Sequence, residues 1–255
     1  MRAHFLADTA TLTGRSMKHV LRSPDTLITT AVMPVAIMLL FVYVIGGAID
    51  TGHYSGTHVQ YMLPGILLMT VAMGISYTAY RLFADLQGGI LDRFHSMPIA
   101  RSAPLWAHVL TSLAANLISV VLVFAVAALM GFRTAAGLLG WLGVAGILLL
   151  FVLALTWVAV IAGLSASSME GATVFSYPLI FLPFVSSAFV PTESMPGPVR
   201  WFAEHQPVTP IVDTLRDLFA QRVVGTDIWI ALAWMLGILG VAYGAAMIVH
   251  RRRIR

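Results

Sequence analysis

Long runs of apolar residues, separated by short polar links, dominate the pattern along this chain. Six of these runs approach or exceed the roughly 20 residues that a helix needs to cross the ~30 Å hydrocarbon core of a bilayer. We assign them to residues 27–49, 61–80, 104–130, 138–165, 172–190 and 228–249. The pattern therefore predicts an all-α polytopic membrane protein with six transmembrane helices.

Glycine and proline modify the expected shape of several spans. Pro34 should kink the first span, and Pro178 with Pro183 should bend or break the fifth. Small residues recur in the fourth and sixth spans, where they would let neighbouring helices approach closely. These residues are Gly140, Gly143, Gly146, Gly237, Gly240 and Gly244.

The segment before the first span, 1–26, mixes basic and apolar residues. Its charged members include Arg15, Lys18 and Arg22, interleaved with Leu12, Met17 and Val20 among others. Such a mixture is typical of a helix that lies in the headgroup region of a membrane. A disordered basic arm is the alternative.

The link at 81–103 is the place where charge, glycine and proline concentrate between two long spans. Gly88 and Gly89 should end the helix that leaves the membrane, and Pro98 should end a short turn at 92–97. This predicts a compact polar loop at a membrane surface. A plain solvated hairpin would explain the same residues.

The link at 191–227 is the longest polar region, and its apolar residues are spaced as on one face of a helix. They are Ile211, Val212, Leu215, Leu218 and Phe219. Thr209 and Pro210 supply a helix start signal, and Asp213 suits a first turn. We expect one or two short amphipathic helices at the outer interface; the alternative is an extramembrane subdomain packed on the bundle.

Composition and charge agree with a membrane protein and indicate its orientation. The 255 residues are 59% hydrophobic and 10% charged, against roughly 25% charged in soluble domains, and there is no cysteine. Of the 15 Lys and Arg residues, four lie in the N-terminal arm, three in the 81–103 link and four at the C-terminus. The positive-inside bias then places both termini and this link in the cytoplasm. Because the positive charge lies at membrane edges, it does not indicate nucleic-acid binding.

Few residues could carry chemistry. Ionisable groups are nearly absent from the predicted spans, which disfavours an ion-driven transporter, and no His-Glu-x-x-His zinc motif occurs. Lys18 is the sole lysine, and it is not preceded by the glycines of a phosphate-binding loop. We therefore expect no enzyme activity and no metal site. If ATP drives this protein, another subunit binds it.

Two motifs resemble those of the permease subunit of ABC type-2 exporters, and in particular of the actinobacterial daunorubicin-resistance-type permeases. The first consists of Gly89, Asp92, Arg93, Met97, Pro98 and Arg101 in the 81–103 link. The second runs from Glu204 and His205 through Pro207, Thr209 and Pro210 to Arg216. The order of elements matches as well, so the resemblance covers nearly the whole chain as one transmembrane domain.

The resemblance implies roles for these residues. In that family the loop after span two is a coupling helix that sits in a groove of a separate ATPase, so Asp92, Arg93 and Phe94 inherit that contact. Two permeases, identical or paralogous, would work with two ATPase copies that bind ATP and magnesium. Spans two and five would flank the transport path, whose candidate residues are Thr70, Tyr77, Phe175, Tyr177 and Phe181.

These observations predict a permease of the bacterial plasma membrane that exports hydrophobic or amphiphilic compounds, drugs or lipids. Export of a glycan or lipid-linked polymer is the alternative within transport. Outside transport, the chain could be a membrane scaffold whose loop recruits a protein.

Overall fold

A computed structural model describes residues 9–14, 16–17, 24–46, 56–89 and 103–253, and within them every regular element is helical. The helices are α1 (Pro24–Leu39), α2 (His58–Gln87), α3 (Ala103–Leu129), α4 (Leu138–Ser165), α5 (Met169–Val174), α6 (Ser176–Phe181), α7 (Gly197–His205), α8 (Val208–Ala220) and α9 (Asp227–Arg253). A π-helical segment, Leu40–Ile45, continues α1, and 3-10 turns occupy Leu182–Val185 and Thr192–Ser194. The predicted all-α membrane fold is confirmed.

Helix lengths sort the predicted spans into two groups. Helices α2, α3, α4 and α9 are long and apolar enough to cross a membrane. The first and fifth predicted spans instead contain the shorter apolar helical stretches Val32–Val44 and Met169–Val185. Pro34 lies inside α1 without ending it.

Helix α2 occupies the centre of the bundle, where it packs against α1, α3, α4, α5, α6 and α8. A capping box starts it, because the Thr57 hydroxyl accepts from the Gln60 amide and the Gln60 side chain accepts from the Thr57 amide. The helix continues seven residues past its predicted end at Tyr80, since Leu82 and Phe83 are buried. It ends at Gly88, and Gly89 has a φ of +64°, as its glycine pair predicted.

Close helix approaches occur where glycine faces a neighbouring backbone. A Cβ on Gly163 of α4 would lie 2.8 Å from the carbonyl oxygen of Ala79 in α2, and one on Gly65 would lie 2.6 Å from the Cβ of Ala188. Either side chain would push its neighbour away. The backbones of α2, α4 and the segment around Ala188 therefore sit closer than side chains would allow.

The predicted glycine edges are used unequally. In α4, a Cβ on Gly140 or Gly143 would lie within 3.2 Å of Leu218 in α8, so both accommodate that helix, whereas Gly146 has nothing within 4 Å. In α9 the three predicted positions, Gly237, Gly240 and Gly244, also have nothing within 4 Å among the described residues. The prediction of a packing edge on α9 is therefore wrong within this chain, because that face of α9 points outward.

The fifth predicted span is broken, as its prolines indicated. Helix α5 ends at Val174, α6 begins at Ser176 after the single residue Phe175, and α6 passes into the 3-10 turn at Leu182. Pro178 and Pro183 each lack an amide N–H, so a continuous helix would lose two backbone hydrogen bonds here. Residues 186–190 then run without helical structure.

The 191–227 link forms two helices, α7 and α8, and α8 packs on α2, α4 and α9. The predicted start signal of α8 is wrong in detail, because the helix begins at Val208 without a side-chain cap. Asp213 is its sixth residue, beyond the first turn. The side chains of Thr209 and Asp213 form hydrogen bonds with Ser187 instead of capping the helix.

Two predicted segments fall wholly or partly outside the described residues. Asp92, Arg93, Phe94, Met97, Pro98 and Arg101 of the first motif all lie outside them. In the N-terminal arm, residues 9–14 and 16–17 are described and helical.

Candidate functional site

A layer of hydroxyl and amide side chains connects α2, α3 and α4 inside the bundle. The Thr78 and Ser112 hydroxyl oxygens are 2.6 Å apart, and Ser112 Oγ lies 3.3 Å from Thr156 Oγ1. Asn116 donates through Nδ2 to the Ser112 carbonyl oxygen at 2.9 Å, while its Oδ1 lies against Gly74. Lipid tails offer no competing hydrogen bonds, so this layer holds the three helices together.

The path candidates on α2 do not form a common surface. Thr70 is fully buried, and its hydroxyl donates to the Ile66 carbonyl of its own helix at 2.7 Å. Tyr77 lines a small cleft between α2 and α3, and its ring stacks on Tyr80 with centroids 6.1 Å apart. Thr70 therefore serves the core, whereas Tyr77 belongs to the end of α2.

The path candidates in the broken fifth span, Phe175, Tyr177 and Phe181, differ from those on α2 in their exposure. Tyr177 and Phe181 on α6 are 57% and 62% exposed, and Phe175 is half-buried at the junction of α5 and α6. Phe181 contacts Phe184, with ring centroids 6.1 Å apart. The broken span therefore presents large aromatic side chains outward.

The same aromatic contacts reach the π-helical segment after α1. Phe184 lies 5.9 Å from Phe41, centroid to centroid, and Tyr43 in that segment is 67% exposed. Exposed Tyr43, Tyr177 and Phe181 thus lie on the two segments that the Phe41–Phe184 and Phe181–Phe184 contacts join, and we call this set of rings the aromatic face. It is made by the two predicted spans that are not single long helices.

In the second motif, Arg216 of α8 is a buried cation with four hydrogen-bond acceptors. Its Nε donates to the Tyr61 carbonyl at 3.0 Å, and Nη2 donates to the carbonyls of Ser187 and Ala188 at 2.6 and 3.0 Å. Nη1 donates to Asp213 Oδ1 at 2.9 Å, and the guanidinium carbon lies 3.8 Å from the centroid of the Tyr61 ring. We call these contacts the Arg216 cluster. It ties α8 to the start of α2 and to the irregular segment after α6.

Neighbouring motif residues satisfy more of that irregular backbone. Gln206 donates through Nε2 to the Val185 carbonyl at 2.9 Å. The Thr209 hydroxyl accepts from the Ser187 amide at 3.3 Å and donates to the Ala203 carbonyl. A segment without helical hydrogen bonds needs such partners when it is buried. The second motif thus supplies hydrogen-bond partners to the irregular backbone that follows α6.

The other helical residues of the second motif make contacts within their own helices. Glu204 pairs with Arg200 at 2.7 Å on the exposed side of α7. The His205 ring stacks on Trp201 with centroids 4.7 Å apart, and its Nδ1 lies 2.7 Å from the Trp201 carbonyl oxygen. Pro207 precedes α8, and Pro210 lies in its first turn with its carbonyl accepting from the Thr214 hydroxyl.

Burial sets the electrostatics of the Arg216 cluster. Removal from water raises the pKa of Asp213 above its ordinary value of 3.8, while the Arg216 charge and the Ser187 hydroxyl, which donates at 2.8 Å, act in the opposite direction. A carboxyl group with a raised folded-state pKa binds its proton more tightly in the folded chain. Its contribution to stability therefore falls as pH rises through the range above 3.8.

Comparison with known proteins decides the family. The model of the family described as "ABC-2 type transporter" matches residues 8–220, which is most of the chain. The chain belongs to the ABC-2 type transporter family.

Similar proteins carry drug-resistance names. This ABC-2 chain is 27% identical over 256 residues to the daunorubicin resistance ABC transporter permease protein DrrB1 of Streptomyces coeruleorubidus, covering 99% of this chain and 89% of that protein. It is also 27% identical over 252 residues to the probable doxorubicin resistance ABC transporter permease protein DrrC of Mycobacterium tuberculosis (strain CDC 1551 / Oshkosh), covering 97% and 90%. The family expected from the two sequence motifs is confirmed.

Sequence reasoning missed most partners of Arg216 in this ABC-2 chain. Tyr61 donates through its hydroxyl to the Ser187 carbonyl at 3.1 Å, although the two residues are 126 positions apart. No local pattern marks Tyr61 or Ser187 as contacts of Arg216. The one available signal was a lone arginine on the apolar side of an amphipathic helix.

The Arg216 cluster generates a stability prediction. Arg216→Met removes the cation but leaves the buried Asp213 carboxylate and three carbonyl groups, so we expect a loss of about 3 to 5 kcal/mol. The pKa of Asp213 should rise further, so the deficit should shrink as pH is lowered, and adding Asp213→Asn should restore part of the stability at neutral pH. Thermal unfolding in detergent between pH 5 and 8 measures both effects.

Arg200→Met is the matched control, because its ion pair with Glu204 is exposed and should matter little. Equal unfolding temperatures for the two arginine variants at every pH would contradict the role assigned to Arg216.

Proposed function

We propose that this ABC-2 permease exports hydrophobic or amphiphilic compounds, drugs or lipids, from the cytoplasm or the inner leaflet of a bacterial plasma membrane. The relatives named for daunorubicin and doxorubicin resistance support this substrate class. The observation that carries it in this chain is the aromatic face, where exposed rings stand on the irregular segments of the first and fifth predicted spans.

The interior chemistry of the bundle agrees with an apolar cargo. Among the described spanning helices, the buried polar side chains are hydroxyls and one amide, apart from His250 near the end of α9. The hydroxyls of Thr78, Ser112 and Thr156 are bonded to one another. Among the buried side-chain nitrogen and oxygen atoms of these described helices, Asn116 Oδ1 is the one without a hydrogen-bond partner. A polar glycan would need many such free partners, since each unsatisfied polar group costs roughly 1 to 3 kcal/mol.

Energy for export comes, in this proposal, from a separate ATPase subunit that binds ATP and magnesium. The sequence supports this division, because its single lysine is not part of a phosphate-binding loop. The working unit contains two ATPase copies and two permeases, either identical or paralogous. The 81–103 link docks on the ATPase through its residues 90–102, which include Asp92, Arg93 and Phe94 and which we call the 90–102 loop.

The proposed orientation places both termini and the 90–102 loop in the cytoplasm. Helices α7 and α8 then lie on the outer side, where exposed Trp201 and Phe202 on α7 suit the membrane interface. The Arg216 cluster fastens these outer helices to the bundle.

The absence of native cysteine makes this orientation directly testable. A single cysteine at Ser194, which is exposed before α7, should react with a membrane-impermeant thiol reagent in intact cells. A cysteine at Ser96 should react only after the membrane is opened. Labelling of Ser96 in intact cells would reverse the assignment.

Charge reversal in the loop tests coupling to the ATPase. Arg93→Glu should abolish most transport while membrane abundance stays normal, because losing a hydrogen-bonded charge pair at an interface costs about 2 to 5 kcal/mol. Arg133→Glu, in the exposed turn between α3 and α4, should have little effect, as most surface changes stay within about 0.5 kcal/mol. Permease abundance, ATPase co-purification and transport are measured together, and full transport by both variants would refute docking through this loop.

Removal of the exposed rings tests the substrate class. Tyr177→Ala and Phe181→Ala should each lower export of an apolar fluorescent dye about two- to tenfold, since one aromatic contact contributes roughly 0.5 to 1.5 kcal/mol. Leu129→Ala is the control, because Leu129 is 88% exposed at the end of α3 and is not one of the rings of the aromatic face. Loss of a surface polysaccharide with unchanged dye and lipid export would favour the glycan alternative.

A further inference from the structure

A hydrogen-bonding contact joins the two helices that flank the 90–102 loop. His108 Nε2 lies 3.1 Å from Asp85 Oδ2, the geometry of a hydrogen bond donated by the imidazole to the carboxylate. Asp85 lies in the last turn of α2, and His108 is the sixth residue of α3. This contact bridges two helices, whereas Arg200–Glu204 and Arg216–Asp213 each lie within one helix.

The histidine end of the contact is mostly buried, the carboxylate end is partly exposed, and the contact lies beside the polar layer of the bundle. The His108 side chain is 10% exposed and that of Asp85 is 33% exposed. His108 also lines the cleft that contains Tyr77, Arg81 and Ser112, so the pair lies next to the Thr78–Ser112 hydroxyl contact. Charged hydrogen bonds contribute more than neutral ones where water is excluded.

Apolar packing alone would leave α2 and α3 free to slide past each other, because lipid tails are as apolar as the helix surfaces. Polar contacts at two depths, Asp85–His108 at the base of the loop and the Thr78–Ser112–Thr156 layer below it, fix their relative position. The ends of the loop therefore sit on helices held in one register.

We propose that Asp85 and His108 are positioning residues for energy coupling. They hold the two ends of the 90–102 loop together, so that displacement of the loop by the ATPase moves α2 and α3 as one body. This inference rests on the proposed docking of that loop. In this inference the pair transmits movement of the loop to α2 and α3, and it contacts neither the ATPase nor the substrate.

The test uses the permease reconstituted in proteoliposomes with its ATPase subunit, and it measures dye transport per ATP hydrolysed. Asp85→Ala and His108→Phe should each lower this ratio about tenfold or more, the scale of one charged hydrogen bond, while ATPase co-purification is retained. The double variant should be no worse than the poorer single variant, because both remove the same contact. Leu110→Ala, at an exposed position of α3, is the control and should keep the native ratio.

Exchange of the partners tests whether the contact itself is required, and the swap Asp85→His with His108→Asp should restore most of the transport per ATP. Native membrane abundance and thermal unfolding of the two single variants, despite their lowered ratio, separate coupling from simple stability. Asp85→Asn, which keeps the volume and an acceptor oxygen, supplies a milder variant if Asp85→Ala fails to accumulate, and it should lower the ratio by less.

Two results would overturn the proposal: a native ratio in both single variants, or losses that multiply in the double variant and are not restored by the swap. Arg93→Glu, assayed in parallel, distinguishes a failure of loop docking from a failure of the positioning role. If Arg93→Glu loses transport while the Asp85 and His108 variants keep the native ratio, loop docking stands and the positioning role fails. If Arg93→Glu transports normally, the proposed docking fails first.

Discussion

The buried guanidinium of Arg216 is the interaction on which the part of this protein built around α7 and α8 depends. A cation removed from water is stable only when acceptors replace its hydration, and here the acceptors are a carboxylate and three backbone carbonyls. Those carbonyls belong to α2 and to the segment after α6. The requirement to satisfy one side chain therefore fixes three parts of the chain at a single point.

This constraint allows the fifth predicted span to be broken. Backbone groups that leave a helix inside a membrane protein need partners within the protein. Gln206 and Arg216 provide them for carbonyls between Val185 and Ala188. Because the second motif supports the break, α6 can end early and turn Tyr177 and Phe181 outward, which is how the aromatic face arises.

The bundle formed by α2, α3 and α4 follows the same physical rule with other residues. Hydroxyl and amide groups between α2, α3 and α4 bond to one another, and Asp85 with His108 closes the series at the base of the loop. Apolar helices thus gain a fixed register from a small number of polar contacts. The two parts share α2, whose first residues contact Arg216 and whose last turn carries Asp85.

The sequence by itself determined the helical class, most helix positions and the break of the fifth span, because hydropathy, proline and glycine act locally. The glycine pair after α2 predicted its end even though the helix outran its predicted length. Tertiary structure decided most of what Thr209, Asp213 and Arg216 do, since each has at least one partner that lies 22 to 155 positions away. It also decided that the glycines of α9 face outward and that Thr70 serves the core. Periodicity reports which face of a helix is apolar, whereas the partner of that face depends on how the whole chain packs.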